Sequence, residues 1–229
     1  MKERFAIIGF GCAGYHALSA IREAGSDAQV DVYSDTDMPP YNPMLTTYYV
    51  AGKLPYDGLF PFGTLEEIGN RLEANIYTDR RVSKVKAKEK IVVTEDGHEE
   101  TYDKILISAG ATAFVPGSFA ALKGAHCMRT IEDAVKLREK LEEKEYKSAV
   151  VVGASMVGIK VAELLHKRGI HVTLADMAPH IFALAAYPKV SEMIEERVKK
   201  IGIDMAFGQA ITAADEHVDE LGNVSGYTV

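Results

Sequence analysis

Two glycine turns carry the residues best suited to chemistry. Gly9-x-Gly11-x-x-Gly14 lies in FAIIGFGCAG, residues 5–14, and Gly153-x-Ser155-x-x-Gly158 lies in AVVVGASMVG, residues 149–158. Such a turn, placed between an apolar strand and a helix, suits a dinucleotide. The first glycine allows the tight bend, the second lets a pyrophosphate approach the backbone, and the third lets helix and strand pack closely. The helix N-terminus then offers free N–H groups and the positive end of its dipole to the phosphates. Cys12 and Ala13 complete the first turn. In the second, Ser155 replaces the usual glycine; its hydroxyl narrows the approach slightly but can itself donate to a phosphate.

A carboxylate after the second strand of each unit should reach the ribose hydroxyls. Asp35 is the candidate in the first copy, with Ser34 beside it and Asp37 in reserve; Asp176 is the candidate in the second. Met177 follows Asp176, where an arginine would have held a 2′-phosphate, so the second turn points to NAD(H) over NADP(H). The alternative for either turn is an ordinary strand-to-helix bend with no ligand.

The elements that position these turns form an internal repeat. At one constant offset Gly9 matches Gly153, Gly14 matches Gly158 and Gly25 matches Gly169. Each copy runs apolar strand, glycine turn, helix, closing glycine and second strand, the second strands being VDVY and HVTLA. This is a β-α-β unit written twice, suited to a parallel sheet. Between the copies, residues 35–62 are rich in Pro, Tyr and Gly, as in DTDMPPYNPMLTTYYVAGK, and predict a long irregular connection. Thr64 with Glu67 predicts a helix start. RVSKVKA, KIVVTE and EETYD predict a small antiparallel meander with Asp96-Gly97 as a hairpin turn. KILISAGA predicts a buried strand returning to the parallel sheet. Thr130 with Asp133 predicts a cap on a charged helix running to about Tyr146. A helix over 188–201, the strand IDMAF and the start of another strand follow. A domain boundary is expected near residues 116–123.

Composition narrows the function. The chain has 229 residues and a formal charge of −7, so an electrostatic nucleic-acid footprint is not expected. Its two cysteines are far apart and its seven histidines dispersed, so neither a disulfide scaffold nor a metal site is expected. No apolar run approaches the ~20 residues that span a bilayer. MKERFAIIGF reads as entering a strand at once, so a signal peptide is not expected. A cytoplasmic location, with no membrane partner, is the expectation.

Several stretches, in order along nearly the whole chain, resemble the FAD-dependent pyridine nucleotide-disulfide oxidoreductase superfamily, in its NADH oxidase and rubredoxin-, ferredoxin- and nitrite-reductase branch. They are GFGCAG, PPYNPML, ILISAGATAFVPG, MRTIEDAVKLREKL and VVGASMVGIKVAELLHKRGIHVTLADMAP. The resemblance implies an α/β fold: two Rossmann-like dinucleotide-binding domains of parallel sheets with helices, plus the antiparallel meander. It implies an FAD-binding domain over 1–117 and an NAD-binding domain over 118–229, incomplete at its C-terminus. FAD would lie on the first turn and NAD(H) on the second, with hydride passing from nicotinamide to flavin and on to a small molecule or a small redox protein. It also implies that Val82 lies near adenine, and Ala109 and Gly110 near the flavin pyrophosphate.

Departures from the family pattern are equally informative. Met44 stands where disulfide-handling members place a redox cysteine, and Met forms no thiolate. Pro43 stands where the reductase branch usually has an arginine. Tyr48 and Lys160 stand where that branch tends to pair a lysine near the flavin with a glutamate. If both face the flavin, a cation is supplied there by Lys160 from the other domain; otherwise Lys160 is a solvated helix lysine. The resembled enzymes continue past GNVSGYTV with a further flavin segment and an interface domain, so a truncated product, a fragment or a chain completed by another is expected, with homo-oligomerisation or association through the uncovered C-terminal side. The rival reading is a non-catalytic dinucleotide-binding or interaction protein derived from such an enzyme.

Overall fold

The computed structural model describes all residues except 1, 116–118, 120, 121, 123 and 221–223. The domain boundary expected at 117/118 falls on residues outside that set. The described residues gather into two compact units, Met1–Pro43 with Pro55–Thr112, and Met44–Leu54 with Ala113–Val229. The long Pro- and Tyr-rich connection is therefore shared, and its middle packs with the second unit.

In the first unit β1 (Arg4–Ile8), helix α1 (Cys12–Glu23) and β2 (Gln29–Tyr33) form the first β-α-β. With β3 (Ala74–Tyr77) and β7 (Lys104–Ile107) the strands make a parallel sheet ordered β3-β2-β1-β7. The register Ile8↔Tyr33 sets the end of β2 beside the start of the glycine turn. Apolar residues on α1, β1 and β2 (Leu18, Phe5, Ile7, Val30 and Val32) bury together with Ile68 of α3 (Leu65–Arg71). The hydroxyl of Thr64 accepts from Glu67 N–H while Glu67 accepts from Thr64 N–H, the reciprocal cap that the sequence pattern requires. The second face of the sheet carries the meander of β4 (Val82–Lys86), β5 (Ile91–Thr94) and β6 (Glu99–Thr101), which pair antiparallel in that order. β7 is parallel to β1 as expected but is not buried: it forms the sheet edge, with Ile107 63% exposed. An apolar run reads the same whether its strand lies inside a sheet or at its margin, so the sequence overstated its burial.

A polar network lies under the meander. Asp31, on the central strand β2, is 2% exposed. Its carboxylate accepts from Asn75 Nδ2 at 2.7 Å, Tyr102 Oη at 3.0 Å and the Arg4 guanidinium at 3.2 Å. Tyr102 Oη lies 2.7 Å from Tyr33 Oη. Because Tyr102 donates its one proton to Asp31, Tyr33 is the donor in that pair. Burial, above all, pushes the phenols of Tyr33 and Tyr102 upward. A buried carboxylate is tolerated only when its lone pairs are engaged, and here they tie three strands and the meander together.

In the second unit β8 (Ser148–Val152), α5 (Met156–Lys167) and β9 (His171–Asp176) repeat the arrangement, and β10 (Asp204–Phe207) extends the parallel sheet to β10-β9-β8. α4 (Ile131–Glu143) starts at the reciprocal cap of Thr130 and Asp133. It stops three residues short of Tyr146 because Lys144 is extended, at φ −149° and ψ 142°. α6 (Pro188–Lys200) precedes β10, and β11 (Asp215–Val218) with β12 (Val224–Thr228) forms an antiparallel pair. The core gathers Val161, Ala162 and Leu165 of α5, Val172 and Leu174 of β9, Ala134 and Leu137 of α4, and Val50 of the short helix α2 (Thr46–Val50). Among the described residues, no helix is long and apolar enough to cross a membrane.

Tyr102→Phe leaves the Asp31 carboxylate short of one donor and Tyr33 without its acceptor. The expected cost is about 1–3 kcal/mol, read as a lower urea midpoint with an unchanged slope.

Candidate functional site

Both glycine turns are built on a close approach of backbone to backbone. Gly9 has φ +94°, and a Cβ added there would sit 2.3 Å from the carbonyl oxygen of Ser108. A Cβ at Gly14 would sit 2.2 Å from the carbonyl oxygen of Gly9, and one at Gly158 only 1.8 Å from that of Gly153. These distances are impossible for a side chain, so the third glycine is what lets each helix lie against its strand. Gly11 differs: a Cβ there meets nothing within 4 Å. Packing therefore does not require a glycine at that position.

The helix ends fit the same chemistry. α3 and α4 begin with capping boxes and two acidic residues in their first turn. α1 and α5, which follow the glycine turns, begin at Gly11 and Ser155 without a side-chain cap and with no acid in the first turn. α6 also starts without a side-chain cap or a first-turn acid, but among the described helices only α1 and α5 do so directly behind a strand and a glycine turn. Cys12, Ala13 and Ser155 are exposed at these ends, and Gly14 and Gly158 are buried behind them.

The two turns can be laid on one another by their hydrogen bonds. Gly9 N–H donates to the Tyr33 carbonyl at 2.8 Å, and Gly153 N–H donates to the Ala175 carbonyl at 2.8 Å. The residue after Ala175 is Asp176 and the residue after Tyr33 is Ser34. The local bonds agree: Asp176 Oδ1 accepts from Ala178 N–H at 2.8 Å, and Ser34 Oγ accepts from Thr36 N–H at 3.4 Å. Ser34, buried, is thus the structural counterpart of Asp176, while Asp35, exposed, matches Met177. Asp37 is exposed two residues further on. Asp176 also accepts from Ala154 N–H, at 2.6 Å, and so reaches into its own glycine turn.

Ala109 follows β7 beside the first turn, its Cα 2.8 Å from a Cβ built on Gly9, and the neighbouring Gly110 is exposed. Val82 opens β4 and packs against the cluster of Ile8, Tyr33, Val92 and Tyr102. Tyr48 is half-exposed on α2, with the Lys53 ammonium 6.0 Å from its ring centroid. Lys160, exposed on α5, donates to Glu163 at 3.0 Å, and Lys167 binds the same carboxylate. The hydrogen bond to Glu163 raises the Lys160 ammonium above its ordinary range, with a smaller push from Tyr48; the two lysines hold Glu163 below the usual carboxylate range. Met44 is exposed. Ser108, which the sequence reading passed over, touches the first turn directly: its Oγ lies 2.7 Å from the Gly9 carbonyl. A serine at the end of a short apolar strand gives no sequence signal for that role.

Two uncapped helix ends, each behind a strand and a glycine turn, define a protein of the two-dinucleotide kind. Residues 3–227 match the pyridine nucleotide-disulphide oxidoreductase family, and the chain belongs to that family of enzymes. It is 29% identical over 213 residues to an NADH oxidase of Methanocaldococcus jannaschii, covering 91% of this chain and 48% of that protein. Its fold is like that of putidaredoxin reductase in its covalent complex with putidaredoxin, at TM-score 0.87 and 22% identity, over 98% of this chain and 54% of the other. It is also like that of the water-forming NADH oxidase from Lactobacillus brevis bound to NADH, at TM-score 0.86 and 23% identity, over 99% and 52%. The chain spans about half the length of these relatives.

Gly14→Ala and Gly11→Ala separate packing from binding. The first forces a methyl into the Gly9 carbonyl and should cost about 3 kcal/mol or more. The second enters open space at φ −79°; thermal melting should barely change, while dinucleotide binding to the first turn falls, as measured by fluorescence titration.

Proposed function

We propose that this chain is the two-nucleotide part of an NADH-dependent flavoprotein oxidoreductase, holding FAD at the first glycine turn and NAD(H) at the second. The observation that carries this is the pair of uncapped, acid-free helix ends behind Gly9–Gly14 and Gly153–Gly158. Such ends attract a pyrophosphate through aligned N–H groups. Flavin and nicotinamide supply hydride transfer, and the protein supplies binding, orientation and electrostatics. At the first turn Gly11 gives the pyrophosphate room, Cys12 and Ala13 offer helix N–H groups, and Ser34, Asp35, Val82, Ala109 and Gly110 line the remainder. At the second turn Ser155 adds a hydroxyl donor, and Asp176 presents its carboxylate to ribose.

Electrons would leave by a route without a redox cysteine, because Met44 occupies the position where the resemblance places one. The acceptor class we propose is a small molecule or a small redox protein. Of the two readings of Lys160, its bond to Glu163 supports the solvated one. Val150 and Val152, exposed on the edge strand β8, support association of that side with further protein. We propose a cytoplasmic location for the same enzyme.

Asp176 with Met177 beside it should repel a 2′-phosphate. NADH is expected to bind at least about tenfold more tightly than NADPH, a difference of about 1.4 kcal/mol, in titrations followed by nicotinamide fluorescence. Equal affinities would remove the assignment of Asp176 to the ribose. The flavin assignment is checked separately by adding FAD to the purified chain and following flavin absorbance through size-exclusion chromatography; we expect weak retention, with a Kd in the micromolar range or above, about 8 kcal/mol or less of binding free energy.

A further inference from the structure

The peptide that follows the first glycine is held from opposite sides in the two turns. In the second turn the Gly153–Ala154 peptide is fixed by its N–H, which Asp176 accepts at 2.6 Å. In the first turn no carboxylate stands at that position. Ser34 takes its place, and its single oxygen accepts from Thr36 N–H. The Gly9–Phe10 peptide is fixed instead by its carbonyl, which accepts from Ser108 Oγ at 2.7 Å, a closer contact than the 3.2 Å from the same hydroxyl to Ile8 O. Ser108 fits there because two side chains are missing: a Cβ on Gly9 would collide with the Ser108 backbone, and one on Gly14 would press on Ser108 Oγ at 3.2 Å.

A planar trans peptide points its N–H away from its C=O. Holding the Gly9 carbonyl against Ser108 therefore turns the Phe10 N–H to the other side of the turn, the side on which Asp176 lies in the second copy. Among the described residues, Phe10 N–H has no partner. A backbone donor left unpaired in a close-packed turn is satisfied by water or by a ligand.

We propose that Ser108 is a positioning residue of the first turn, which holds the Gly9–Phe10 peptide so that Phe10 N–H donates to an oxygen of the bound flavin dinucleotide. This rests on the reading of the first turn as the FAD site. The two copies then meet their nucleotides with opposite polarity at one position: a donor N–H in the first and an acceptor carboxylate in the second.

The test is fluorescence titration of the 229-residue chain with FAD and, separately, with NADH. Ser108→Ala should weaken FAD binding about tenfold, the scale of one lost hydrogen bond, with NADH affinity unchanged, and Ser108→Thr should restore it. Unchanged FAD affinity in Ser108→Ala overturns the role of Ser108 and leaves the flavin reading intact. Parallel loss of NADH affinity, or no rescue by threonine, shows a general loss of structure and also overturns it. Absence of FAD binding by the parent chain overturns the flavin reading itself, and this role with it.

Discussion

Each half of the molecule depends on one close approach, that of a strand-end glycine carbonyl to a glycine in the first turn of the following helix. With 1.8 Å between Gly153 O and a Cβ on Gly158, and 2.2 Å at the first turn, no other residue type fits. The contact seats the helix on its strand, which lets the apolar faces of α1 and α5 bury against the sheets. It also directs the uncapped helix end toward the C-terminal edge of the strands, where a dinucleotide can be met by several N–H groups at once. The same contact thus sets both the seating of each helix and the direction of its first N–H groups.

Around that shared contact the two copies diverge. The second turn is braced by Asp176, whose two oxygens join the turn to the loop after β9. The first is braced by Ser108, just past the neighbouring strand β7, and has Ser34 where the second has Asp176. The first sheet also carries a buried carboxylate, Asp31, whose partners come from β1, β3 and Tyr102, next to the start of β7. Charge is therefore moved from the turn of the first copy into its supporting sheet, whereas in the second copy it stays at the turn.

Tyr48 and Lys160 show how a departure from a family pattern reads once coordinates are known. Lys160 has a partner within its own helix, Glu163, shared with Lys167. The i,i+3 and i,i+4 spacing alone would give these pairs. Tyr48 lies on α2, which packs with α4 and α5.

The sequence by itself determined what depends on neighbours along the chain. The caps at Thr64–Glu67 and Thr130–Asp133, the order of the meander, the doubled β-α-β and the glycines of both turns are all encoded within short windows, because their hydrogen bonds and φ angles are local. Only the tertiary structure decided the rest. It placed β7 at an edge, put residues 44–54 with the second unit, made Ser34 rather than Asp35 the counterpart of Asp176, joined Asp31 to Tyr102, and brought Ser108 to Gly9. Each of these depends on which strand lies beside which, and a bond between groups distant in the chain leaves no spacing or periodicity for a sequence to display.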